Sequence, residues 1–166
     1  MAQWWAMKLR LRFRDLQASD LSDLDWSGGA EHLRAVSEVL QASYAGEAAV
    51  VVGSLGNERL VAMGFVDFRV DPDAGVLSTL AVHQRLQSLG IGTRLVAQLE
   101  RRAAEQDRRW ARLTVELDNP RAAAWYRRLG YVEAGPALDS WPIAGGRTYV
   151  AACIRMERDL RGADSG

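Results

Sequence analysis

Cysteine is almost missing: Cys153 stands alone in 166 residues, which excludes an internal disulfide and fits a reducing compartment. Histidine is scarce as well. His32 and His83 lie far apart and no Cys–His spacing suits zinc, so no metal centre is expected. The chain also lacks net charge, with 21 basic residues against 21 acidic ones. Nothing in that balance attracts a polyanion, and no nucleic-acid partner is expected. No apolar run approaches the roughly 18 residues a membrane span needs, so no membrane association is expected. The opening MAQWWAMKLR has neither a long apolar stretch nor a small-residue cleavage site. It does not read as a signal peptide, and the expected location is cytoplasmic. Repeats and low-complexity tracts are missing too.

What is present is the composition of one globular domain over residues 1–166, with 48% apolar and 25% charged residues. The ordered core is expected over residues 8–160, with a polar, frayed tail from Arg161 to Gly166. Lys8 to Arg14 alternates as a half-buried strand does. Asp20 is placed to cap a short turn at Leu21 to Asp25, broken by Ser27-Gly28-Gly29. Glu31 to Tyr44 reads as a helix burying Leu33, Val36, Leu40 and Tyr44. Strands at Ala48 to Val52 and Arg59 to Val70 follow, joined by a turn around Gly53 to Glu58. The turn signal Asp71-Pro72-Asp73-Ala74-Gly75 makes the next strand, Val76 to Val82, antiparallel to its predecessor.

That strand runs into the most informative segment, Gln87-Ser88-Leu89-Gly90-Ile91-Gly92, and a helix starts at once, burying Ile91, Leu95, Leu99 and Ala103. Glycines at a helix start allow a tight backbone turn and leave peptide N–H groups without intrahelical partners. Together with the positive end of the helix dipole they make an anion site suited to a phosphate or diphosphate. A strand at Ala111 to Leu117 precedes a second such unit, in which Asn119 is the N-cap, Pro120 the first helical residue and Gly130 the stop. Tyr131 to Glu133 and Arg147 to Met156 read as final strands around a loop, Gly135 to Gly146. A strand–helix–strand unit among hairpins implies a mixed sheet with helices on both faces, an α/β architecture.

Gln87 to Gly92, set between strand and helix, resembles the acetyl-CoA motif of the GNAT N-acetyltransferases. LTVELDNPRAAAWYRRLGY, Leu113 to Tyr131, resembles that family's second pattern of strand, Asn, Ala-bearing helix, Tyr and Gly-aromatic. The resemblance covers Lys8 to Leu160. It implies a twisted mixed sheet of about seven strands flanked by about four helices, and an enzyme that moves an acetyl group from acetyl-CoA to a primary amine in a ternary complex.

The cofactor residues so implied are Leu80, Ala81 and Val82 along the cofactor arm and Gln87, Ser88, Leu89, Gly90, Ile91, Gly92 and Thr93 around the diphosphate. Asn119 and Tyr126 would face the arm. Tyr126 is the expected acid for the leaving thiolate; without the resemblance it packs an amphipathic helix with Trp125 and Leu129. Asn119 is fully accounted for as a cap and can serve both roles. Glu116 is the expected base, with a solvated surface carboxylate as the alternative reading; Asp67 and His83 are further candidates. Trp26, Glu31 and Trp141 are the expected acceptor-site residues, where acids and aromatics suit a cationic amine.

Three departures from the family's pattern stand out. Leu89 removes a cation often found beside the phosphates, which Arg85 or Arg94 would replace. Val76 stands about where histone-type relatives carry a carboxylate base. Thr114 stands where some ribosomal-protein acetyltransferases carry Glu. The acceptor is expected to be a small molecule, with a protein N-terminus or a non-catalytic acyl-CoA-binding module as alternatives and a homodimer as the assembly the family implies. A dinucleotide fingerprint fits poorly, because Leu95 occupies its third small position.

Overall fold

The computed structural model describes residues 10–56 and 59–164. The expected strand start at Lys8 and Leu9, the turn residues Asn57 and Glu58, and the last tail residues Ser165 and Gly166 lie outside them. Seven strands form one sheet: β1 (Leu11–Asp15), β2 (Ala48–Leu55), β3 (Arg59–Asp67), β4 (Ala74–Val82), β5 (Trp110–Glu116), β6 (Val132–Ile143) and β7 (Arg147–Asp159). Their spatial order is β1-β2-β3-β4-β5-β7-β6. All neighbours pair antiparallel except β4 and β5, which are parallel. Parallel neighbours need a crossover connection, and α2 (Ile91–Glu105) supplies it. A 3-10 helix over Ala18–Ser27, α1 (Ala30–Tyr44) and α3 (Pro120–Arg128) complete the layers.

The sheet is buried on both faces at its centre. Leu95, Leu99 and Ala103 of α2 and Tyr126 of α3 pack with Val61, Val66, Leu77, Leu113 and Val115. Val36 and Leu40 of α1, with Leu24 of the 3-10 helix, pack on Val50, Val52, Met63 and Phe65 from the other side. Two faces in contact explain why β3 reads as an almost unbroken apolar run. The seam under α2 needs residues without a side chain. A Cβ at Gly64 would fall 2.9 Å from Leu99 Cδ1, and one at Gly75 2.7 Å from Ala103 Cβ. A buried network ties α2 to the far strands: Tyr131 Oη donates to Glu100 Oε1 at 3.0 Å, and Arg158 Nη1 to Glu100 Oε2 at 2.6 Å.

Three local expectations are corrected. Asp20 is not the N-cap of the 3-10 helix. Gln17 is, and Asp20 sits three residues in, its Oδ2 accepting from Gln17 N at 2.8 Å and its carboxylate gripped by Arg14. Tyr44 is 64% exposed rather than buried, at the last residue of α1. The expected loop Gly135 to Gly146 is mostly strand: β6 runs to Ile143, and only the turn to Arg147 remains. Pro136 and Pro142 read as strand breakers, yet β6 is the sheet edge, where a missing N–H costs no ladder bond.

Candidate active site

β4 and β5 pair only at Ala74↔Trp110, Gly75↔Ala111 and Val76↔Arg112. Beyond Val76 the two strands separate, leaving a gap in the middle of the sheet. A bulge starts the divergence. Met63 pairs with Ala81 and Phe65 with Ser78, so Gly64 faces both Thr79 and Leu80, and Thr79 takes φ +55°. A β-branched residue in that region is strained, and such strain persists where the surrounding structure imposes it. Two residues against one leave the bulge's extra peptide without a ladder partner.

A cleft of about 690 Å³ opens from this gap between α2 and α3. Leu80 and Val82 form one wall, Gln87, Ser88, Gly90, Gly92 and Thr93 the end, and Asn119, Ala122, Trp125 and Tyr126 the other wall. The end wall is a turn that carries two glycines. Ser88 at φ +67° and Gly90 at φ +82° turn the chain back on itself, and Gln87 Nε2 pins the loop by donating to Val82 O at 3.2 Å. Among the described residues, no amide from Gln87 to Thr93 donates to a backbone carbonyl outside the helix. These N–H groups and the α2 dipole face the cleft as an anion cradle. A Cβ at Gly92 would stand 3.3 Å from the Trp125 ring, so glycine there keeps the cradle open.

Asn119 caps α3 through Oδ1, which accepts from Ala122 N at 3.1 Å, and still lines the cleft. Tyr126 is 8% exposed, held between Trp125 and Tyr131 with ring centroids 4.7 and 5.6 Å away. Burial pushes its phenol up to about 12, so it keeps its proton until a strong acceptor arises beside it.

The other expected residues are placed differently. Ala81 packs toward the α1 side, Ile91 is in the core, and the Leu89 side chain stands outside the cleft. Glu116 is not a cleft residue either. It alternates with the core residue Val115, so it lies on the α1 face of the sheet, across from Tyr126. There its carboxyl is raised above the usual range, by loss of hydration first and then by the charges of Asp118 and Asp139. Asp139 in turn accepts from Thr114 Oγ1 at 2.7 Å. Trp26 packs under α1 with its ring 5.5 Å from that of His83. Glu31 is exposed in the first turn of α1, and Trp141 lies against Tyr149 in the β6–β7 hairpin, with ring centroids 5.0 Å apart and the planes tilted by 47°. None of the three lines the cleft between α2 and α3. Asp67 is bonded to Arg69 at the opposite end of β3 and takes no part.

The cations of the cleft were missed in the sequence. Arg94 stacks on Phe13, and Arg85 is not among the cleft residues; Arg121 and Arg128 are. Their spacing with Trp125, at i, i+4 and i+7, marks one helix face and was the available signal.

A sheet split between two parallel strands, with a backbone anion cradle at the start of the crossover helix, defines an acyltransferase architecture. The sequence profile of the acetyltransferase (GNAT) family matches residues 13–131, and the chain belongs to that family: it is an N-acetyltransferase, and its acyl donor is acetyl-CoA. No curated protein sequence matches it. Among solved structures it is similar to a spermidine N-acetyltransferase from Vibrio cholerae in complex with CoA and spermine. That likeness has a TM-score of 0.69 at 16% identity and covers 92% of this chain and 97% of the other. It is also similar to the ribosomal-protein-S18-alanine N-acetyltransferase from Escherichia coli, with a TM-score of 0.62 at 21% identity, over 90% of this chain and 94% of that one. At such identities the likeness is one of fold.

The cleft fits the cofactor on its own terms. Acetyl-CoA needs donors for a diphosphate, a slot for an extended arm and a free peptide edge for a thioester carbonyl. The cradle, the gap between the strands and the bulge supply these in that order.

Proposed function

We propose that this enzyme acetylates the primary amine of a small cationic molecule, by direct attack of that amine within a ternary complex. One observation carries the reading: β4 and β5 stop pairing at Val76 and Arg112, so the end of β5 that carries Glu116, beside Asp118 and Asp139, has no β4 partner, and the cleft with its anion cradle lies on the other face of the sheet. The amides of Gln87 to Thr93 hold the diphosphate, and the peptide freed at Leu80 donates to the thioester oxygen as negative charge builds there. Bound acetyl-CoA supplies the activated acyl group. The amine enters from the acidic face, and Glu116 takes its proton, because an alkylammonium cannot attack. Tyr126 donates its phenolic hydrogen toward the departing sulfur, where water is excluded.

The likeness to a spermine-bound polyamine acetyltransferase supports a cationic acceptor. The test is thiol release from acetyl-CoA with a panel of polyamines, amino sugars and amino-acid analogues, run beside a peptide with a free N-terminal alanine. Turnover of a small amine is the expected result. A strong preference for the peptide would move the assignment to a protein N-terminus. Calorimetric binding of acetyl-CoA without release by any amine would reduce the protein to a binding module.

A further inference from the structure

Arg121 and Arg128 are a feature of the cleft that the transfer chemistry leaves unused. Both lie on α3 and line the cleft from the wall facing the glycine loop. Their neighbour Arg127 points elsewhere and is paired with Glu133. Neither Arg121 nor Arg128 has a carboxylate partner among the described residues. Among the described residues that line the cleft, the loop side contributes no side-chain cation. Charge in the cleft is therefore divided: backbone dipoles at one end, guanidinium groups on the facing wall.

A diphosphate needs donors spread along a chain of oxygens, and the cradle already provides them. A terminal phosphate carries a second charge and three unesterified oxygens, which the planar guanidinium fork can grip in pairs. Coenzyme A has one such group, on the ribose 3′-oxygen, at the solvent end of the molecule. Trp125, between the two arginines on the helix, touches the position of Gly92 and keeps this face of α3 against the cradle. Both arginines are exposed, as a site for the outer end of the cofactor requires.

Resting on the acetyl-CoA assignment above, we infer that Arg121 and Arg128 clamp the 3′-phosphate and make the enzyme selective for the phosphorylated coenzyme over its 3′-dephospho form. The experiment compares kcat/KM for acetyl-CoA and acetyl-dephospho-CoA in the intact protein and in Arg121→Ala, Arg128→Ala and the double variant, with Arg127→Ala as control. The intact enzyme is expected to prefer acetyl-CoA by about tenfold or more, the scale of charge-assisted hydrogen bonds to one phosphate. In the double variant that ratio falls close to one, through loss of the phosphorylated donor alone, and Arg127→Ala keeps the ratio of the intact enzyme.

Equal losses for both donors would overturn the inference and place the arginines on the diphosphate. Unchanged ratios in every variant would overturn it as well. Should the intact protein bind neither donor by calorimetry, the cofactor assignment itself fails, a result separate from any outcome for the arginines. Thermal melting of each variant, expected unchanged for exposed side chains, separates a folding defect from a binding one.

Discussion

Glu116 and Tyr126 stand on opposite sides of the sheet, one on the α1 face and one in the cleft below, at the place where β4 and β5 no longer pair. The two groups proposed to handle protons are thus separated by the sheet itself. An amine approaching from one side and a thiolate leaving on the other would each meet its own partner.

Tyr126→Phe keeps the ring and its packing against Trp125 and Tyr131 and removes only the hydroxyl. The expected result is a kcat lower by about 10²-fold, in the range of general acid catalysis, with the Kd for acetyl-CoA nearly unchanged. Steady-state kinetics with calorimetry separates the two. Unchanged kcat would leave Tyr126 as a packing residue.

Glu116 must be ionised to act as a base, so kcat/KM should rise with pH through an acid limb set above the ordinary glutamate range. Loss of hydration raises that carboxyl first, and the negative charges of Asp118 and Asp139 add to it. Asp118→Asn removes a like charge and should move the limb to lower pH. Glu116→Gln should abolish the limb and lower the plateau. A pH–rate profile that is the same in all three proteins removes Glu116 from the reaction.

Much of this arrangement was legible because local rules and the fold agree. Asn119-Pro120 at the start of α3, and Gly90 before a helix with apolar residues at every fourth position, carry their structure in their own chemistry. The split in the sheet is implied by the family resemblance and not by any local pattern. It depends on β4 and β5 pairing over a few residues and then parting. Thr79 illustrates the point, since a β-branched residue gives no hint of positive φ. β6 was hidden for a different reason: Pro136 and Pro142 speak against a strand until the strand is known to be at the edge. The acceptor site is the least legible part, because Trp26, Glu31 and Trp141 come from segments far apart in sequence, and only packing decides which side chains share a wall.

Ser88 adopts a left-handed conformation, φ +67°, which costs an L-residue roughly 1 kcal/mol and glycine far less. Ser88→Gly should therefore raise the melting temperature by about 2–4 °C, the shift that 1 kcal/mol produces in a domain of this size. Binding of acetyl-CoA should persist, since the cradle uses the backbone. Ser88→Val should lower stability. Melting curves of the two variants check the sign.

Asp20 holds the entry to the 3-10 helix through the Arg14 guanidinium and Gln17 N, and the Arg14 bond first, then the Gln17 bond, keep its carboxyl below its ordinary value of 3.8. An acid with a depressed pKa in the folded state stabilises the fold above its unfolded value, and that contribution disappears as pH falls through the folded one. Asp20→Asn should cost about 1 kcal/mol at pH 7, with the difference from the parent protein vanishing at acid pH below 3.8. Urea melts at a series of pH values measure it.

The most direct test of the central claim is an amide-resolved NMR titration with CoA. The N–H resonances from Gln87 to Thr93 are predicted to shift and to gain protection from exchange, with those of the α1 face left in place. If CoA binds while these amides stay unmoved, the cradle is not where the cofactor is held, and the account built on it is contradicted.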